Sequence, residues 1–304
     1  MTEPFLRSRH RDPDEKVADY PPLPTPLVVP VYDNHTHLEF ADGENPLDWR
    51  EQLDRASSVG VRGVVQVGTD LDTSRWSADV AAVEPRVVAA VALHPNEAPS
   101  LDGQGALDDH LAGIAELAGR PRVRAIGETG LDFFRTGEEG RDAQVRAFEA
   151  HIAIAKEHGL ALQIHDRDAH REVLRSLRRV GAPERTVFHC FSGDAEFARE
   201  VAAEGWYLSF AGTVTFKNAG GLREALESVP RSRLLVETDA PYLTPTPWRG
   251  RPNSSYLIPH TVRLMAEHLG TDASMLAAQL SSNTEEVYGH WDDEPPAVTS
   301  PLER

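Results

Sequence analysis

The chain has one cysteine, Cys190, in 304 residues. No intrachain disulfide is possible, and nothing implies an oxidising compartment. Cations are scarce as well: 31 Lys plus Arg stand against 48 Asp plus Glu, a formal charge of −17, and the lysines are Lys16, Lys156 and Lys217 alone. A surface this acidic excludes indiscriminate nucleic-acid binding, because attraction to phosphate needs clustered Lys and Arg. An acidic substrate would need local positive charge, most simply from metal ions. No apolar run approaches the roughly 18 residues of a membrane span. Residues 1–16 are charged and lack the apolar stretch of a signal peptide. The expectation is a soluble, cytoplasmic protein with no membrane partner and no obligate protein partner. No G-x-G-x-x-G or P-loop follows the first β-run, which weakens an open doubly wound nucleotide-binding sheet.

What is present is a regular alternation. Residues 1–30 are polar and then proline-rich, Pro21-Pro22-Leu23-Pro24-Thr25-Pro26, and read as a flexible N-terminal arm. From residue 31, β-rich runs alternate with helical stretches: runs beginning at Val31 and spanning 61–67, 86–93, 123–126, 160–164, 186–188, 206–210 and 234–236. Helices are expected over 72–83 (N-cap Asp72 or Thr73), 107–118, 140–158 (closed by Gly159), 169–180, 195–204, 221–229, 255–269 and 273–288. Eight apolar runs separated by helices argue for an α/β fold, a TIM (β/α)8 barrel over residues 31–291, with 292–304 as a C-terminal tail.

Metal-competent side chains sit where these runs end. Val31-Tyr32-Asp33-Asn34-His35-Thr36-His37 closes the first run with two histidines spaced to share one side of a strand. Glu128 follows the fourth run, His165 the fifth, His189 the sixth and Asp239 the eighth. Each alone also fits an ordinary structural residue; six at one class of position are hard to read as coincidence. In a β/α barrel all strand C-termini open on one face, so residues far apart in sequence would converge there. The donors are nitrogen and carboxylate oxygen without thiolate, which suits catalytic Zn²⁺, Mn²⁺ or Mg²⁺. Six donors exceed the need of one ion. Two divalent ions sharing Glu128 is the economical arrangement, and two ions about 3.5–4 Å apart can activate water and stabilise the leaving oxygen of a phosphodiester. Asp239 is the candidate general base.

The stretches Asp33–Leu38, Ile126–Asp132 (IGETGLD), Gln163–Ala169 (QIHDRDA), His189–Gly193 (HCFSG) and Glu237–Leu243 (ETDAPYL) resemble the TatD family of metal-dependent hydrolases. The resemblance implies a barrel of the amidohydrolase-like type, divalent metals and hydrolysis of DNA phosphodiesters. It implies that His35, His37 and Asp239 hold one ion with Glu128, and that His165 and His189 hold the second. Many amidohydrolases bridge their metals with a carbamylated lysine; the lysines here lie elsewhere, consistent with a carboxylate bridge. His94 matches a further motif and is expected to face substrate phosphate. Arg135 and Arg167 are phosphate candidates, since guanidinium geometry matches phosphate; Lys217, in a stretch that also resembles the family, is another. Pro252 and Ser254-Ser255 depart from the family's loop after the last strand. Trp206 and Trp248 could stack bases, but core or rim packing is the favoured reading. Asp132 and Asp166 are expected to orient ligand histidines, and Asp168 to cap the following helix. The expected function is a DNase, acting as an exonuclease on single-stranded or frayed ends. The alternative is hydrolysis of a small phosphoester, lactone or amide on the same scaffold, and a vestigial scaffold is disfavoured by the intact donor set.

Overall fold

The protein is described by a computed structural model covering residues 3–9 and 17–292. Eight parallel strands follow one another in chain order around a nearly closed barrel. They are β1 (Val31–Thr36), β2 (Val61–Val67), β3 (Val87–Val91), β4 (Val123–Asp132), β5 (Ala161–Arg167), β6 (Thr186–Phe188), β7 (Tyr207–Phe210) and β8 (Leu234–Val236). The first and last meet at their C-terminal ends: Thr36 bridges Ala240, Asp239 N–H donates to the His35 carbonyl at 2.9 Å, and His37 N–H donates to the Ala240 carbonyl at 2.8 Å. The eight runs read from the sequence are these strands, and the barrel is the expected one.

Alternation along each strand divides the core in two. Val64, Val87, Ala89 and Val91 join the large apolar layer between strands and helices. Their neighbours Val65, Val88 and Ala90 belong to a smaller cluster with Tyr32, Val187, Tyr207 and Leu235. Val287, Tyr288 and Trp291, from the end of the last helix, complete it. Trp291 stacks on Tyr32 with ring centroids 4.2 Å apart, and its indole N–H donates to the Arg86 carbonyl. Apolar packing thus fills the end of the barrel where the strands begin, leaving polar chemistry to the end where they finish.

Helices α1 (Trp49–Ser58), α2 (Leu71–Val83), α3 (Ala98–Gly103), α4 (Leu107–Ala118), α5 (Glu138–His158), α6 (His170–Val180), α7 (Ala195–Ala203), α8 (Gly220–Glu227), α9 (Ile258–His268) and α10 (Ala273–Tyr288) surround the strands. Two of these, α1 and α3, lie where the sequence reading assigns nothing. The cap of α2 is Asp70 rather than Asp72 or Thr73: Asp70 accepts from Thr73 N–H at 2.7 Å while Thr73 Oγ1 accepts from Asp70 N–H, a reciprocal capping box. Asp168 does not cap α6; Ala169 stands at the N-cap without a side-chain bond, and Asp168 itself has a left-handed φ of 56°. Strand β4 continues past Glu128 to Asp132, because pairing with β5 resumes at Thr129–Ile164 after a register shift.

The segment expected to be a flexible arm is tied to the barrel over its described residues. Leu27 is buried and its N–H donates to the Val59 carbonyl, Tyr256 Oη donates to the Pro21 carbonyl, and Arg263 donates to the carbonyls of Thr25 and Pro26. Prolines lower the entropy lost on ordering such a stretch. Nearer the terminus, Arg7–Ser8 pairs in parallel with Phe40–Ala41. Most of the expected tail, residues 293–304, lies outside the described residues, as does Lys16.

Candidate metal centre

His35 and His37 are buried at the end of β1. His37 Nδ1–H donates to the Val67 carbonyl at 3.0 Å, which fixes the ring and leaves Nε2 as a lone pair aimed inward. His35 Nε2 lies 3.3 Å from it. Two imidazole nitrogens facing each other at that distance share either a proton or a cation.

Glu128 stands between two histidine groups. Its Oε2 lies 3.6 Å from His35 Nε2 and 3.8 Å from His37 Nε2. Its Oε1 lies 2.6 Å from His165 Nδ1, 2.9 Å from His189 Nε2 and 3.4 Å from His94 Nε2. Asp239 Oδ1 completes the first group, 3.7 Å from His37 Nε2 and 3.9 Å from His35 Nε2. Burial pushes the Glu128 carboxyl up, but His189, His94 and His165 outweigh it and hold it well below the usual carboxylate range. Burial pulls His189 down, and Glu128 and Glu237 more than reverse this, leaving it well above the ordinary imidazole value. His35 is lowered by burial and by the neighbouring His189. The cluster therefore holds a carboxylate that stays ionised and histidines whose protons compete for it.

A divalent ion fits this donor set. An ion about 2.1 Å from tetrahedrally placed donors keeps them about 3.4 Å apart; the His35, His37 and Glu128 atoms are 3.3 to 3.8 Å apart, and Asp239 lies 3.7 and 3.9 Å from the two histidines and also groups with His35 and His189. His94, Glu128 and His165 form a further group able to hold an ion. His94, expected to face substrate, thus lies among potential metal donors.

Surrounding groups hold the donors in place. Asp33, fully buried, accepts from Thr238 Oγ1 at 2.5 Å, from Thr238 N–H at 2.9 Å and from His35 N–H at 3.3 Å. Burial raises its carboxyl to about 7 despite these bonds. It ties β1 to the segment carrying Asp239, whose left-handed φ of 54° is a strained conformation for a residue with a side chain. Glu237 accepts from Cys190 N–H at 2.8 Å and faces His189 Nδ1 at 3.3 Å. Asp132 faces His165 Nε2 at 3.4 Å, as expected of an orienting carboxylate. Asp166 does not: it pairs with His170 at 2.8 Å.

A cleft of about 620 Å³ opens over these groups, lined by His37, His94, Glu128, His165, His189 and Asp239, and by Arg135 and Arg167. The sequence profile of the family described as TatD related DNase matches residues 32–289. The chain belongs to the TatD family of metal-dependent hydrolases. Among the relatives of this TatD-family protein, an uncharacterized metal-dependent hydrolase TatD of Mycobacterium tuberculosis is 44% identical over 263 residues, 85% of this chain and 98% of its own length. The 3′-5′ ssDNA/RNA exonuclease TatD of Escherichia fergusonii is 36% identical over 270 residues, 84% and 96% of the two chains. The crystal structure of YJJV, a TatD homologue from Escherichia coli K12, superposes with a TM-score of 0.78 at 26% identity, covering 86% of this chain and 98% of that one.

One expectation for this TatD-family protein needs correction. Lys217, after the short 3-10 turn Gly212–Thr215, is exposed and is not among the residues lining the cleft. Trp206 is buried and stacks on Phe188, the packing role the sequence reading favours. The sequence reading also misses several groups. Arg7 and Tyr242 line the cleft. Phe134 is 63% exposed beside it, with the Arg167 guanidinium 4.0 Å from the ring centroid. The aromatic pair Phe133-Phe134 directly after the IGETGLD stretch was the available signal for Phe134; for Arg7 the sequence carries none.

Proposed function

We propose that this protein is a deoxyribonuclease that removes nucleotides from single-stranded or frayed DNA ends with two divalent ions. The observation that carries the proposal is the Glu128 carboxylate, one oxygen turned to His35 and His37 and the other to His165, His189 and His94. In this reading His35, His37 and Asp239 would hold one ion with Glu128, and His165 and His189 the other, with His94 beside it. Bound divalent ions lower the pKa of water and offset charge on phosphoryl oxygens. Asp239, with 15% of its side chain exposed at the cleft, takes the proton of the attacking water. Arg135 and Arg167 hold substrate phosphate at the rim, supplying positive charge that the −17 chain otherwise lacks. The exposed Phe134 ring, backed by Arg167, offers a stacking face. Only an unpaired base presents a free face to it, which is why the proposal specifies single strands or frayed ends.

The name of the Escherichia fergusonii relative supports this reading. The test is purified protein with Mg²⁺ or Mn²⁺, given end-labelled single-stranded DNA beside a panel of small phosphoesters, lactones and amides. Stepwise loss of terminal nucleotides, abolished in Glu128→Ala and Asp239→Asn, is the expected result. Rapid turnover of a small ester with DNA left intact overturns it.

A further inference from the structure

The family match begins at residue 32, yet the cleft beside the metal centre is lined in part by Arg7, from the segment before it. That segment is built in. Leu6 N–H and Arg7 N–H donate to the Glu39 carbonyl and Arg9 N–H to that of Ala41, continuing the short pairing with Phe40–Ala41. Trp76 Nε1–H donates to the Glu3 carbonyl. The Arg7 guanidinium lies 4.3 Å from the Phe40 ring centroid. Its Nε and Nη2 donate to Glu39 Oε1 at 3.1 and 2.6 Å, and Nη2 also donates to Thr69 Oγ1 at 3.0 Å. Glu39 is fully buried, shares Gln66 as a second partner at 2.8 Å, and sits 4.0 Å from His37 Nδ1. The guanidinium is thus locked to the wall through Nε and Nη2, while Nη1 lies 3.9 Å from Asp70 Oδ2, beyond hydrogen-bond length. An arginine at the lining of a polar cleft, held through Nε and Nη2 and with no acceptor within hydrogen-bond distance of Nη1 among the described residues, is preorganised for an oxyanion.

We propose that Arg7 is a substrate-binding residue: its Nη1 edge takes a phosphate of the DNA strand next to the scissile one, so that the N-terminal segment supplies one wall of the substrate site. This rests on the nuclease reading. Nothing covalent is asked of Arg7; it adds one cation to a cleft in a strongly acidic chain.

The experiment compares wild type, Arg7→Gln and Arg7→Lys, all loaded with Mn²⁺, on a labelled single-stranded oligonucleotide over a range of salt, with metal content measured on each protein. For Arg7→Gln, KM is expected to rise about tenfold with kcat within about twofold. The slope of log KM against log salt should fall by about 0.7, the signature of one lost phosphate contact on a single strand. Arg7→Lys should keep the slope. Wild-type KM and slope in Arg7→Gln overturn the proposal. So does a fall in kcat and metal content at unchanged KM, which would make Arg7 a prop for Glu39 and His37. Should Arg7→Gln not fold, Arg7→Gln/Glu39→Gln replaces the ion pair by two amides; the same loss of slope is expected, and a wild-type slope sinks the idea. Wild type that leaves DNA intact fails the nuclease reading itself, and is told apart because the failure precedes any substitution.

Discussion

A carboxylate has two oxygens and can face two ways; Glu128 does so, and the chemistry of the cleft is arranged around it. The six donors are legible in the sequence because each follows an apolar run, and a strand end is the one place where a polar group can be both rigid and uncovered. Their supports are not legible. Asp33 and Glu237 act through partners up to 205 positions away, as in the Asp33–Thr238 pair. Two residue-level predictions follow from the geometry. His165→Ala removes a donor facing only one oxygen of Glu128, so metal bound per chain should fall by about one ion while the His35–His37 group keeps its own; unchanged stoichiometry in metal analysis contradicts the two-group arrangement. His151, on α5 and bonded toward β4, is fully buried; Leu93 N–H donates to its Nε2 at 3.3 Å, and Thr129 Oγ1 lies 2.8 Å from its Nδ1. Burial pushes it down to about 3. The unfolded side chain titrates near 6.5, so between about 6.5 and 3 the unfolded chain holds a proton that the folded chain refuses. Stability from this group is therefore flat above about 6.5 and falls as pH drops below it, by up to about 1.4 kcal/mol per unit. His151→Gln should flatten that limb in denaturant melts compared across pH; parallel limbs would show another group in control.

At the scale of elements, the decisive one is β4. Its pairing with β5 shifts between Ile126 and Thr129, and Gly127–Glu128 is a cis peptide. The run of small residues in IGETG looks like a strand ending, which is why the sequence reading stops it short, but the strand resumes because Gly130 permits a φ of 137° and an approach to the His165 carbonyl that no Cβ allows. Gly130→Ala is expected to cost at least about 2 kcal/mol by forcing both strain and displacement of β5. It should also weaken metal binding, since β5 carries His165; thermal melts and metal analysis check both, and a variant with wild-type melting and metal content refutes this account. Helix ends were partly legible: Gly159 takes the left-handed cap the sequence suggests, with φ of 61°, whereas Asp70 displaces Asp72 because only Asp70 can trade bonds with Thr73.

Across the whole molecule, apolar packing occupies one end of the barrel and titratable groups crowd the other, in a chain carrying −17. Such a cluster of carboxylates and histidines repels or shares protons until cations neutralise it. Ions that bind only the folded chain stabilise it by mass action, about 2.7 kcal/mol at a hundredfold excess over Kd. Chelation should therefore lower the melting temperature by several degrees as well as abolish hydrolysis, and added Mn²⁺ should restore both. A melting curve indifferent to chelator would speak against ions at the base of the cleft. Among the described residues no helix is long and apolar enough to cross a membrane.

By itself the sequence determined the architecture and which metal-competent residues end which strands, since both are local: the period of the apolar pattern decides strand or helix, and chain order decides which polar residue ends which strand. Tertiary structure alone decided that His94 stands beside Glu128, that the N-terminal segment folds back to place Arg7 in the cleft, and that Lys217 is not among the residues lining it. These depend on distances between segments remote in sequence, which are set by closure of the barrel and by the twist of neighbouring strands rather than by any local pattern.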